Sequence, residues 1–321
     1  MYDSSMNSRR QLEKLEKRVQ DGNYYEAQQM YKTINSRYMA AKKYAESIDL
    51  LQSGAVMQLK HGQVTCGTEL GVLLIDTYNT AKVPCDTISI DRIRAIYNEF
   101  PRVSNVPQEK VDIAADSKAT DKTITAKTHV EGCMAFLKAA LKWSIEAGGP
   151  HRGAPELHDM LADYVWTQSP VPEMYKASQY FVRGSHPETF AKAVVQWMHQ
   201  CYPGEADLVV ARAVLLYLSL GNLRDANLLW DAVKQSLSDS SKEFPDTPLM
   251  HFIRFLLSTL ERDALPLFRI LRQKYKPSID RDPTFDEYMD EIGERFYGLQ
   301  RRNGGMQGML SDFIKMFAMD S

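Results

Sequence analysis

The stretch from Asp21 to Tyr78 leaves few folds open. Three times in succession it places apolar side chains at helical spacing and then interrupts them with polar or glycine-bearing residues. Tyr24, Ala27, Met30, Tyr31 and Ile34 make the first face, opened by Gly22-Asn23. After a polar break near Arg37, Tyr44, Ile48, Leu51, Ala55 and Leu59 make the second. Gly62 and Gly67 precede the third, formed by Leu70, Leu73, Leu74 and Tyr78. A helix with one apolar face must cover it, and consecutive faces of this kind are covered when helix pairs stack, each leaning on the next. Small Ala27, Ala45 and Ala55 are predicted at the close approaches, with aromatics filling the wider gaps.

The same period runs through most of the chain. A first helix is predicted from about Ser8 to Gln20, with Leu12, Leu15 and Val19 on one face and Arg10, Lys14, Lys17 and Arg18 opposite. Ile90, Ile93, Ile96 and Tyr97 continue the pattern, which resumes at 132–147 and becomes dense from Pro155. Residues 206–220 are apolar nearly all round and are predicted to be buried on several sides. Gly221-Asn222-Leu223-Arg224-Asp225-Ala226 echoes Gly22-Asn23-Tyr24-Tyr25-Glu26-Ala27, the mark of a repeating unit. Further helices are predicted at 249–260, 265–275 and 284–297, the last with an acidic start suited to a helix N-terminus. An amphipathic tail carries Met306, Met309, Leu310, Phe313, Ile314 and Phe317. Residues 101–128 are polar, contain two prolines and show no sustained period; they read as a long mobile loop. No stretch alternates with a period of two, so the fold class is all-α.

Composition narrows the functions. At 321 residues the chain can form two domains or one continuous array. A net charge of -2 gives no global reason for nucleic acid or a membrane surface as partner, although residues 1–43 hold nine Lys and Arg against five Asp and Glu. Cys66, Cys85, Cys133 and Cys201 have no paired spacing, which fits reduced thiols. With no signal peptide and no apolar run near 18 residues, a cytosolic protein is expected. Phosphate-binding glycine loops, metalloprotease helices, nucleophile elbows and paired-cysteine motifs are all missing, so neither enzyme nor cofactor is expected. His151 and His158, seven apart, could share a helix face with Asp159 as a metal site. Gly153 and Pro155 interrupt their helix, favouring a capping or partly buried histidine over a ligand.

These residues resemble the Golgi-to-ER traffic protein 4 family, adaptor subunits of tail-anchored protein targeting. The likeness rests on Gly22–Ala27 with Arg37-Tyr38, Lys43-Tyr44 through Gly54-Ala55, Gly67–Leu70 with Asp76-Thr77-Tyr78, Asp86–Ser89, Pro155–His158, Gln179-Tyr180-Phe181 with Gly184-Ser185-His186, and Met309–Phe313. It implies an α-solenoid of antiparallel helix hairpins, a TPR-like superhelix in two halves, 1–150 and 151–321. The first half would dock on the ATP-bound dimer of a targeting ATPase. The second would grip a ubiquitin-like-domain protein, whose co-chaperone carries tail-anchored clients. Animal relatives also bind a BAG-family scaffold. By position and chemistry, the ATPase face falls to Lys14, Arg18, Arg37, Lys42 and Asp76, and the ubiquitin-like partner to Leu216, Leu220, Phe252 and Leu256. The 101–128 insertion is longer than the fungal pattern, and 238–248 is short for the clamping hairpin of fungal members. The competing expectation is a scaffold subunit of another helical-repeat assembly.

Overall fold

The structure, a computed structural model, describes residue 15 and residues 17–102, 117–169, 173–202, 204–240 and 243–300, with the side chains of 117–124 outside that description. It is all-α, without a strand among the described residues. The chain divides into two compact units, Met1–Ser185 and His186–Ser321.

In the first unit a helical turn at 17–20 (α1) leads into α2 (Tyr24–Ala40), α3 (Tyr44–Lys60), α4 (Val64–Ala81), α5 (Thr87–Tyr97), α6 (Ser117–Glu146), α7 (Pro155–Gln168) and α8 (Met174–Phe181). One turn design builds the array. Gly22, Lys42, Gly62 and Lys82, spaced twenty residues apart, all take left-handed backbone with φ of 81°, 55°, 72° and 53°. After each, the next N–H reaches back to a helix carbonyl: Asn23 to Arg18, Lys43 to Tyr38, Gln63 to Gln58 and Val83 to Tyr78, at 2.8–3.0 Å. This is a Schellman closure, which satisfies carbonyls that a helix end would otherwise leave bare. At the first three, the following residue bends (φ near -86°, ψ 57° to 69°) and starts the next helix at once. Gly221-Asn222 repeats the design, as the sequence echo predicts, and Asp263-Ala264 repeats it with no glycine at all.

Neighbours follow from those short turns. α2, α4 and α6 succeed one another in one layer, and α3, α5 and α7 in the other, with α3 packed on α4 and α8 on α7. Because α7 and α8 pack onward from α6, residues 151–185 belong with the first unit. Ala27 and Ala55 are buried as predicted, whereas Ala45 is exposed. The tightest approaches belong to glycines instead. A Cβ on Gly54 would meet the Tyr31 ring at 2.8 Å, one on Gly67 the Leu59 side chain at 2.5 Å, and one on Gly71 the Phe136 ring at 2.9 Å. Asp86 and Ser89 of the fourth sequence block form a reciprocal capping box at the start of α5.

Helix α6 begins at Ser117, so the last twelve residues of the expected 101–128 loop are helical. Apolar spacing reports burial, and residues 125, 127 and 128 bury nothing. They extend a helix already fixed by Val130, Cys133, Phe136, Leu137, Ala140 and Trp143, where each added residue gains a hydrogen bond without a new nucleus. The rest of that loop, 103–116, lies outside the described residues, as does the amphipathic tail at 306–317.

The second unit contains α9 (Pro187–Met198), α10 (Ala206–Ser219), α11 (Leu223–Asp239), α12 (Pro248–Glu261), α13 (Leu265–Lys274), α14 (Lys276–Ile279) and α15 (Pro283–Tyr297). Helix α10 is its centre, packed against α9, α11, α12 and α15, which accounts for its apolar character on every side. Proline in the first turn of α9, α12 and α15 costs no backbone donor, because those N–H groups have no helical partner. Ion pairs knit the unit. Buried Asp207 meets Arg281 at 2.6 Å, Asp282 pairs with Arg212, and Arg272 bridges Asp286 (2.6 Å) and Asp290 (2.5 Å). Asp286, in the first turn of the last helix as its acidic start predicts, is thus also paired with a guanidinium, as is Asp290.

Candidate partner-binding faces

Helices α2 and α4 run parallel, separated in sequence by one antiparallel helix. Glu69 of α4 fixes their register by accepting from Gln28 (2.8 Å) and pairing with Lys32 (2.5 Å). Arg37 lies five residues beyond Lys32, and Asp76 seven beyond Glu69, so both come to the same end of the hairpin stack. Lys42, in the α2–α3 turn, projects from that end too. Arg37, Lys42 and Asp76 are all exposed, and neither Arg37 nor Lys42 has an ion-pair partner among the described residues. The fold therefore gathers three of the five residues assigned to the ATPase face.

The others go elsewhere. Arg18 pairs with Glu26 in the first turn of α2, about 16 Å of helix from Arg37. Lys14 lies outside the described residues. Between Glu26 and Arg37 the outward side of α2 presents Gln29, Thr33 and Ser36, and before them Tyr25, 71% exposed. Tyr25 is the residue that charge counting misses. Its phase was the signal, since Tyr24, Ala27, Tyr31 and Ile34 already define the inward face and Tyr25 falls outside that series.

In the second unit, Phe252 and Leu256 are fully buried on the inner side of α12, and Leu216 is buried in α10; Leu220 is half-buried. These side chains hold the unit together and offer no open groove. The exposed apolar atoms belong to residues out of phase with that stripe. Phe255 of α12 is 41% exposed, with the Arg254 guanidinium 5.2 Å over its ring. Leu267 and Ile270, one turn apart on α13, are 47% and 56% exposed.

The histidine combination is structural. His158 is buried, with Nε2 2.8 Å from the carbonyl of Arg152, so that nitrogen carries the proton. Burial holds its pKa below the ordinary imidazole value. Asp159 accepts from the Ser185 backbone N–H (3.1 Å) and hydroxyl (2.8 Å). Gly184 is needed there, since a Cβ would fall 1.9 Å from an Asp159 oxygen. Among the described residues no three His, Cys, Asp or Glu side chains are placed to hold a metal. Cys66, Cys85, Cys133 and Cys201 are free thiols, and burial raises the pKa of each. Such thiols are poor nucleophiles. No described helix is long and apolar enough to cross a membrane.

Comparison with known proteins agrees with this architecture. The family model described as Golgi to ER traffic protein 4 matches residues 41–314. Protein GET4 of Arabidopsis thaliana is 49% identical over 308 residues, covering 95% of this chain and 94% of the relative. The Golgi to ER traffic protein 4 homolog of Homo sapiens is 30% identical, covering 92% and 84%. The crystal structure of C. therm. Get4 superposes with a TM-score of 0.77 at 26% identity, over 96% of this chain and 95% of that one. With a family match across most of its length and relatives that share its span, the chain belongs to the Golgi to ER traffic protein 4 family.

Proposed function

We propose that this protein is a non-enzymatic cytosolic adaptor of tail-anchored protein targeting. It joins the ATP-bound dimer of a targeting ATPase to a ubiquitin-like-domain protein. The co-chaperone recruited by that protein delivers tail-anchored clients for insertion into the ER membrane. Family membership supports the pathway, and a BAG-family scaffold, which animal relatives bind, is a further partner in this reading.

One observation carries the assignment of the first surface: Arg37 and Lys42 stand exposed at one end of the hairpin stack, without carboxylate partners among the described residues. Asp76 beside them adds a site for a cation of the partner. A small charged patch of this kind speeds encounter and gives salt-sensitive, reversible binding. Arg18, already paired with Glu26, contributes less, and Tyr25 supplies apolar area on the adjoining side. For the ubiquitin-like protein, exposed Phe255, Leu267 and Ile270, with half-buried Leu220, offer the apolar contact. Leu216, Phe252 and Leu256 support them from the core.

Charge reversal tests the first surface. Arg37→Glu with Lys42→Glu is expected to weaken binding to the ATP-loaded ATPase at least tenfold and to flatten its dependence on salt, with thermal unfolding unchanged. Unaltered affinity at low salt would remove this face from the account. It would favour a scaffold subunit of another assembly, in which the basic residues are merely solvated.

A further inference from the structure

Arg183, in the turn after α8, and Arg152 stand apart from the other partly buried arginines among the described residues. Arg18, Arg92, Arg94, Arg212 and Arg272 each meet a carboxylate, and neither Arg183 nor Arg152 does. Arg183 is half-buried, donates through Nη1 to the carbonyl and side-chain oxygens of Gln179, and has no carboxylate partner among the described residues. The neighbouring charge it senses is another cation. Burial and then repulsion by Arg152 pull its pKa below the ordinary guanidinium value. The carboxylates on the adjoining segments are engaged elsewhere: Asp159 by Ser185, and Glu173 by Lys176 at 2.5 Å.

A recess opens at this point between α7 and α8, lined by His158, Tyr175, Lys176, Gln179, Tyr180 and Arg183. Tyr175 is 71% exposed at the rim, a flat aromatic surface beside the cation. His158, 5% exposed, lines the recess from α7 with its Nε2 proton committed to the Arg152 carbonyl. The recess thus sets a guanidinium without a carboxylate partner among the described residues beside an exposed aromatic face. A peptide carrying Asp or Glu supplies the carboxylate, and its apolar neighbour can lie on Tyr175.

We propose that this recess binds an acidic side chain of a partner protein's peptide segment, with the carboxylate between Arg183 and Arg152. Bidentate guanidinium–carboxylate geometry is the strongest such pairing available, and partial burial protects it from screening. The site lies on α8 and on α7, which packs with α5 and α6 while α2 packs with α3 and α4, and stands independently of the ATPase assignment.

The test titrates the full chain, at constant ionic strength, with an acetylated and amidated hexapeptide alternating Glu and Leu. A second arm uses the Gln-Leu counterpart, and a third inorganic phosphate. The readout is the Nε–H signal of Arg183 in nitrogen–proton spectra. The Glu peptide is expected to move that signal saturably. The Gln peptide, and the Glu peptide on Arg183→Gln protein, should bind at least tenfold more weakly. Arg152→Gln should weaken binding at least threefold, and it decides the question if Arg183→Gln fails to fold by thermal unfolding. Equal binding of the two peptides, or unchanged affinity in the variants, overturns the proposal. So does saturation by phosphate where the peptide has no effect, which would make this a phosphate site.

Discussion

Lys42 holds a left-handed backbone conformation that glycine occupies without penalty and other residues adopt at about 1–2 kcal/mol. Lys42→Gly is therefore expected to raise unfolding stability in urea by about 1 kcal/mol while weakening the ATPase complex. A loss of both would mean that the lysine acts through the fold. The position was hidden in the sequence, because two of the four left-handed residues spaced twenty apart, Lys42 and Lys82, are lysines rather than glycines. His158 gives a second residue-level prediction. Its folded pKa is depressed by burial, with repulsion from Arg183 adding to this, while the Arg152 carbonyl and Asp159 pull the other way. The unfolded chain therefore takes up that proton first. The contribution to stability is complete above about pH 6.5, declines as pH falls through the folded pKa, and is level below it. Urea midpoints of the wild type should fall from pH 7 to 5, and less steeply in His158→Gln. An imidazole that titrates at or above pH 6.5 by NMR contradicts this.

Helices were legible wherever they bury a face, and illegible where they do not. The three faces from Tyr24 to Tyr78, the wholly apolar α10 and the Gly-Asn echo all emerge from spacing, because packing against a neighbour imposes a period on the side chains. The first turns of α6 leave no such trace, since their exposed residues answer to no partner. Choosing between inner and outer positions on α12 was equally out of reach, as Phe252 and Phe255 differ only in phase. Close packing between helices was assigned to alanines, one of which is exposed, while the nearest approaches are at glycines. Gly67→Ala is accordingly expected to destabilise the first unit by about 1–3 kcal/mol, because the new Cβ would meet the buried Leu59 side chain and the Ala55 backbone. A thermal midpoint within error of wild type would show that α3 and α4 can separate at no cost.

At the scale of the whole molecule, fold and family were legible because motif blocks occur in order along nearly the full chain. The proposed binding faces were only partly so: exposed residues such as Arg37 and Asp76 come together at the ends of helices far apart in sequence, and others are out of phase with the core. The account depends on two separate surfaces carrying two different proteins at once. Sedimentation of the purified ATP-loaded ATPase, this protein and the ubiquitin-like protein together measures that directly. The ubiquitin-like protein is predicted to travel with the ATPase only when this protein is present. Arg37→Glu with Lys42→Glu should release the ATPase while leaving the other pair intact. Binding of the two partners in mutual exclusion, or co-sedimentation of the ATPase and the ubiquitin-like protein without this chain, would contradict the account.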